Sequence, residues 1–321
     1  PLLAVETLTG RLNGMEVQDT RLARFPAPGK TMQADAMELW IWRHIAVRLP
    51  RDWEMLQFSC NARTGRCAFA DRYAFRFELS WRSVPGPPDV ERMLSDYEAE
   101  LARGGATRLH RVRHASWYGL EMEDGSERSS RFGRYISNHG YLLEAVFPWP
   151  QRIDRDLSRA ILDGMEAETE DAHGFRRWRA FGMDVLVPPE LDLSSCIVLP
   201  AQAEMVFADK RRRRELRVQR LGMVSEWLDG SAADWVRKNA AGRMEGAQTR
   251  VMKENGHEIM YLVGKPRRTP GRRDVDVRCG WICPQSGRLY GLSVKRMPNP
   301  PPSRRVWSDC VGCCASRSVA P

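Results

Sequence analysis

Between residues 73 and 81 apolar and polar positions alternate without a break. Tyr73, Phe75, Phe77, Leu79 and Trp81 share one parity, with Ala74, Arg76, Glu78 and Ser80 on the other. Period-two alternation predicts a strand with one buried and one wet face. Upstream, Ile41, Ile45, Val47 and Leu49 also share parity and predict a strand from Trp40 to Leu49 that breaks at Pro50. Trp53, Met55, Leu56 and Phe58 predict another, before turn chemistry at Asn61–Arg66. Downstream the period changes. Val90, Met93, Leu94, Tyr97 and Leu101 mark one stripe of a helix that starts after Pro87-Pro88-Asp89 and stops at Gly104-Gly105. Strand-like pieces follow at 114–122, 130–137 and 141–147, the last two joined at Asn138-His139-Gly140. Ile153, Leu157, Ile161 and Met165 then mark a closing helix.

The pattern is written twice. Trp40, Pro50 and Phe69-Ala70-Asp71 recur as Trp178, Pro188 and Phe207-Ala208-Asp209, all at an offset of 138 (178 − 40, 188 − 50, 207 − 69). Three anchors at one spacing predict one structural unit present in two copies. In the second copy Leu216 and Val218 stand on the alternating strand, and Ser231 with Asp234 caps a helix carrying Trp235. Trp281-Ile282-Cys283, Gly287 and Leu289 match Tyr135-Ile136-Ser137, Gly140 and Leu142, at an offset grown to 146 or 147 by loop insertions. The closing helix has no counterpart, its place being taken by a Pro-rich link.

Expected boundaries are an N-terminal arm at 1–37, units at 38–168 and 175–297, and a Pro-rich link with a cysteine-containing tail at 298–321. The element order predicts an α+β fold of two tandem repeated units, each an antiparallel sheet packed with helices. The Trp-strand opening, with Leu49-Pro50 and Trp53, and the order of elements after it resemble the fold shared by PsbP-type extrinsic photosystem proteins and Mog-type nuclear-import factors. In the second unit Leu191 stands near the place of that Trp. The resemblance covers most of both units. It implies binding and assembly roles and no particular reaction.

Composition narrows the class. Hydrophobic content of 42% beside 28% charged residues is that of an ordinary globular protein, and no window supplies the ~18 apolar residues of a membrane span. Pro1-Leu2-Leu3-Ala4-Val5 runs straight into Glu6, unlike a secretory leader, and Cys60, Cys67 and Cys196 are scattered among apolar neighbours. A cytoplasmic chain with those thiols as core residues is the expectation. The net charge of +9 is uneven: residues 1–150 hold 20 basic and 19 acidic side chains, so the excess belongs to the second copy.

Three sets of residues are candidates for chemistry. Lys210, Arg211, Arg212, Arg213 and Arg214 form the densest basic run, with Arg176, Arg177 and Arg179 before it and Lys265, Arg267, Arg268, Arg272 and Arg273 in a later loop. Such a face can neutralise phosphates or meet an acidic protein. It lacks the interleaved aromatic residues on which single strands stack, which favours a solvated or protein-facing patch. Cys279, Cys283, Cys310 and Cys313, with Cys314 beside them, occur in one copy only and offer four thiolates for a structural zinc. Parity places Cys279 and Cys283 on one strand, ~13 Å apart unless Gly280 makes a bulge. Without that bend they are buried thiols. Third, His110 and His114 are the only histidines at helical spacing, and Glu121 and Glu123 share a strand face; both read more simply as satisfied or solvated side chains.

No hydrolase, metalloprotease, phosphate-loop or dinucleotide signature occurs. The expected function is therefore a non-catalytic binding or assembly protein with a protein partner and no required cofactor. The alternative is a nucleic-acid-associated protein using the basic face of the second copy.

Overall fold

The strand read from Trp40 to Leu49 is two strands. In the computed structural model Met37–Trp42 pairs with Ile45–Pro50 across a two-residue turn in which Arg43 and His44 both adopt positive φ, 50° and 66°. Such a turn matches the twist of the strands it joins and usually announces itself with Gly or Asn. Neither is present here. The same turn recurs 138 positions later at Phe181 and Gly182, between Arg176–Ala180 and Met183–Val187.

The structure describes residues 37–124, 127–168, 170, 174–211, 213–240, 244–254, 256–266 and 275–297. Of the two compact units, Pro1–Ala36 and Met37–Pro321, they all belong to the second. The segments read as arm and tail fall outside the described residues, apart from Met37.

Two seven-stranded antiparallel sheets have one strand order. The first runs Glu54–Phe58, Thr64–Ala70, Phe75–Ser83, Tyr141–Pro148, Glu127–Ile136, Trp117–Asp124, Leu109–His114. The second runs Asp192–Leu199, Gln202–Ala208, Glu215–Leu221, Leu289–Met297, Val275–Ile282, His257–Pro266, Met244–Glu254. A third sheet, of five strands, takes members from both halves: Glu166–Ala167, Ile45–Pro50, Met37–Trp42, Arg176–Ala180, Met183–Val187. Its two hairpins meet where Ile41 pairs with Arg179.

The α+β expectation is thereby corrected. Strands account for 56% of the structure and helices for 15%, so the fold is β-rich. The reason lies in which element covers the sheets. Phe77, Leu79 and Trp81 are buried as their parity requires, but the Phe77 ring packs on Phe69 and Phe147, and Phe69 meets Trp40 of the central sheet edge-on at 5.5 Å. Sheet packs on sheet. Helix Val90–Arg103 has no buried residue and lies outside, where Tyr97 receives the Arg131 guanidinium at 4.6 Å and Arg111 bonds to Glu98. At the start of the alternating strand Tyr73 and Phe75 are exposed, because Asp71 turns the chain there by accepting the Tyr73 and Ala74 amides, both at 2.7 Å.

The two copies repeat their internal contacts. Trp178 meets Phe207 at 5.2 Å as Trp40 meets Phe69. Asp209 stands at the turn position of Asp71 and accepts the Arg213 amide, but its loop is longer: its own N–H reaches the Arg214 carbonyl where that of Asp71 reaches Ala74. The helix pair Val224–Trp227 and Ala232–Ala240 takes the place of Val90–Arg103 in the order, and Ser231 and Asp234 form the reciprocal cap. Trp235 and Val236 lie over Gly280 and Gly291, where an added Cβ would fall 2.7 Å from Val236 and 2.6 Å from Trp235. Neither glycine tolerates a side chain.

The halves are joined by more than one strand pair. Trp42 lies 5.2 Å edge-on to Trp178, and Phe181 reaches across to Trp40, Trp42 and Phe58. Aromatic pairs of this kind contribute about 0.5–1.5 kcal/mol each beyond area burial. From the opposite turn, buried Arg43 pairs with Asp192, donates to the Leu193 carbonyl at 3.3 Å and lies 5.3 Å from the centre of the Trp178 ring.

Next to it the His44 ring stacks on His139 at 5.2 Å. Burial, then Arg176, His139 and Arg43, lower its pKa from 6.5 to about 4, against the opposing pull of Asp192. The folded state thus holds a neutral ring that the unfolded chain protonates first. The stability this confers is complete above pH 6.5 and is lost as pH falls towards 4. His44→Asn keeps a residue that accepts positive φ and removes the titration; thermal melts of the variant should show a shallower acid limb between pH 6.5 and 4 than the wild type. Truncation separates the inner face from the outer helix: Phe77→Ala should cost ~3–5 kcal/mol in denaturant unfolding, whereas Met93→Ala, on the partly exposed helix, should stay within about 0.5 kcal/mol.

Candidate binding surface

The sequence candidates are dispersed over the second copy. Lys210, Arg211 and Arg213 project from the enlarged Asp209–Arg214 loop and are exposed; Arg214 is half-buried and pairs with Glu190 at 3.2 Å. Arg176, Arg177 and Arg179 are structural. Arg177 and Arg179 hold Asp184, and Arg176 donates to the Pro189 and Leu191 carbonyls. Lys265 lies at the end of strand His257–Pro266, whereas Arg212, Arg267, Arg268, Arg272 and Arg273 lie outside the described residues. The basic run is thus an exposed loop, and its upstream companions belong to the central sheet.

Cys279 is buried on the core face of Val275–Ile282, and Cys283 is buried just past that strand's end. Cys310 and Cys313 lie outside the described residues. Among the described residues no group of three or more His, Cys, Asp or Glu side chains is placed to hold a metal ion. Cys60, Cys67 and Cys196 all have thiol pKa values raised by burial, Cys196 to about 12, so none is held as a thiolate near neutral pH. His110 and His114 are on strand Leu109–His114, not a helix, and His114 bonds to Asp163 at 2.6 Å. Glu121 is buried under a bidentate Arg155.

The surface missed by these candidates is one end of the second sheet. Asp192–Leu199 is an edge strand among the described residues, paired only with Gln202–Ala208. The first copy covers its start, where Arg43 takes the Leu193 carbonyl, and leaves its end open. There Ile197, Val198 and Leu199 are consecutive and 47%, 39% and 54% exposed. Beside them the Gly222 amide bonds to the Ala201 carbonyl at 2.7 Å, and the Trp227 indole N–H bonds to the Gly222 carbonyl at 2.9 Å. These bonds bring exposed Met223 and Trp227 to the tip of the same hairpin. Met223, itself at positive φ, is turned outward.

A recess of about 260 Å³ opens on this tip, lined by Pro200, Ala201, Arg220, Gly222, Met223, Ser286, Gly287 and Arg288. Gly182 lies close to Arg220 of this lining, and its carbonyl accepts the Tyr290 hydroxyl at 3.3 Å. The apolar run Ile197-Val198-Leu199 was visible in the sequence. What was not visible is that no other described element covers it.

No protein-family model matches the chain, and no curated protein matches it. Two solved structures share distant likeness. One is the apo structure of immunity protein TplEi of T6SS from Pseudomonas aeruginosa, at 10% identity over 87% of this chain and 96% of that one, with a TM-score of 0.28. The other is a protein from Bacteroides thetaiotaomicron VPI-5482, at 8% identity over 71% and 84%, with a TM-score of 0.27.

Proposed function

We propose that the chain is a non-catalytic binding or assembly protein that engages a protein partner through the open end of the second sheet. The observation that carries this reading is the gathering of exposed Ile197 and Leu199 on one sheet face, Val198 on the other, and Met223 and Trp227 at the hairpin tip held by the Ala201–Gly222 link. An uncovered edge offers unpaired backbone N–H and C=O groups, and proteins ordinarily protect such edges with charge, Pro or a covering element. Here three apolar side chains stand on it instead. Adding a partner strand would satisfy the backbone and bury those side chains, the usual mode of edge recognition. The first copy's corresponding edge, Glu54–Phe58, is shorter and carries Glu54 and Gln57 beside exposed Leu56, so the two ends are not equivalent.

A second reading rests on Lys210, Arg211 and Arg213, three exposed cations on one loop. It is association with nucleic acid by phosphate neutralisation. One comparison separates the two. The full chain, purified from its native source under mild conditions, should bring a stoichiometric protein that rebinds after separation, and Val198→Lys should abolish rebinding while Lys210→Ala/Arg211→Ala leaves it intact. A steep linear fall of log affinity for DNA or RNA with log salt, weakened by the loop variant and untouched by Val198→Lys, would instead establish the second reading.

A further inference from the structure

Arg220 occupies a core-side position. Leu216 and Val218 of its strand are buried on the inner face, and Arg220 continues their parity. Its cross-strand partners are Ala203 and Tyr290; in the first copy, Gly65 and Leu143 flank buried Trp81 in the same register. The second copy therefore has a guanidinium where the first buries an indole. The turn beneath has changed in step. His44, whose ring stacks on His139 in the first copy, is matched by Gly182, which brings no side chain. Trp81 and His44 thus have no aromatic counterpart at Arg220 and Gly182, although the Tyr290 ring replaces Leu143 beside them, and Arg220 lines the recess.

Arg288 enters the recess from the other side. A Cβ placed on Gly182 would fall 2.8 Å from Arg220 Nη1 and 3.8 Å from Arg288 Nη1, so both guanidinium tips converge on one point. Among the described residues neither guanidinium has a hydrogen bond or an ion pair. The Arg220 pKa is lowered, first by burial and then by Arg288, while Tyr290, Glu54 and Glu38 act in the opposite sense. Two converging cations opposed only by Glu54 and Glu38, neither of which forms an ion pair with Arg220, are an arrangement that a closer anion relieves, and a guanidinium pair suits the planar fork of a carboxylate. The rim decides the source of that anion. Met223 is 66% exposed, and Pro200 and Ala201 complete an apolar border.

We propose that Arg220 and Arg288 form a subsite for an Asp or Glu side chain of a protein partner, with Met223 and Trp227 receiving the apolar residues that flank it. This rests on the reading of the sheet end as a protein-binding surface. It adds the chemistry that partner must carry.

The test uses the full chain and a terminally blocked hexapeptide of alternating Leu and Glu, with a Leu and Gln peptide of the same length as control. Binding is followed through the Arg side-chain Nε–H and Trp indole N–H resonances. The Glu peptide should shift the Arg220, Arg288 and Trp227 signals in a saturable way, at least tenfold more tightly than the Gln peptide. Arg220→Gln should remove that preference, and Arg288→Lys should weaken it. Equal affinity for both peptides, or shifts confined to the Lys210–Arg214 loop, overturns the subsite. Inorganic phosphate is the second probe: if it moves the two arginines while the Glu peptide does not, the recess takes a small free anion and the proposal is wrong. If deleting residues 1–36 is needed before any peptide binds, the occupant is the chain's own segment, and the proposal is again wrong. The two readings fail separately. Loss of partner rebinding in Val198→Lys but full rebinding in Arg220→Gln keeps the binding surface and removes the subsite.

Discussion

The pairing of Ile41 with Arg179, and the aromatic cluster around it, is the constraint on which the rest depends. Each half contributes only a hairpin to the five-stranded sheet, and each seven-stranded sheet has an apolar inner face to cover, a task to which helix Arg155–Asp163 adds only buried Ile161 and Leu162 on the first copy's side. Joining the hairpins answers both needs. The five-stranded sheet made this way supplies Trp40 to Phe69 on one side and Trp178 to Phe207 on the other. A helix laid on a sheet would have left these aromatic rings without their edge-on partners. The exposed outer helix Val90–Arg103 shows how little the core asks of it.

Duplication explains both what is shared and where the copies part. Anchors that make the core, such as Phe69 and Phe207, keep their spacing because strand register and ring packing admit no insertion between them. Loops are not bound in this way, and the Asp209–Arg214 turn has lengthened without disturbing the strands it joins. Departures on the inner face have larger effects. The second copy has Arg220 and Gly182 where the first has Trp81 and His44, and Arg220 lines a recess at the hairpin tip. The junction also carries the acid-sensitive His44, its ring stacked on His139, where the second copy has Gly182.

Much of this was legible in the sequence, and the failures are instructive. Alternation at Phe77, Leu79 and Trp81 identified the inner face correctly, because parity survives whatever covers a strand. It could not say what the cover was, and the stripe at Val90, Met93 and Leu94 suggested a helix that in fact lies outside. The turn at Arg43-His44 escaped notice because neither residue signals positive φ; aligning His44 with Gly182 would have revealed it. Density of basic residues along the chain favours the exposed Lys210–Arg214 loop over Arg220 and Arg288, two isolated arginines that only the fold brings together. Uncovered edges have no sequence signature of their own, since an apolar run such as Ile197-Val198-Leu199 reads equally well as core.

Two halves that share one core unfold together. Native-state hydrogen exchange of Trp178→Ala tests it most directly, read at amides of Thr64–Ala70 in one half and Gln202–Ala208 in the other. Truncating a buried Trp in a shared core should lower protection in both strands by the same amount, about 3–5 kcal/mol. Wild-type protection in Thr64–Ala70 beside a loss confined to Gln202–Ala208 would show two independently folded halves and contradict it.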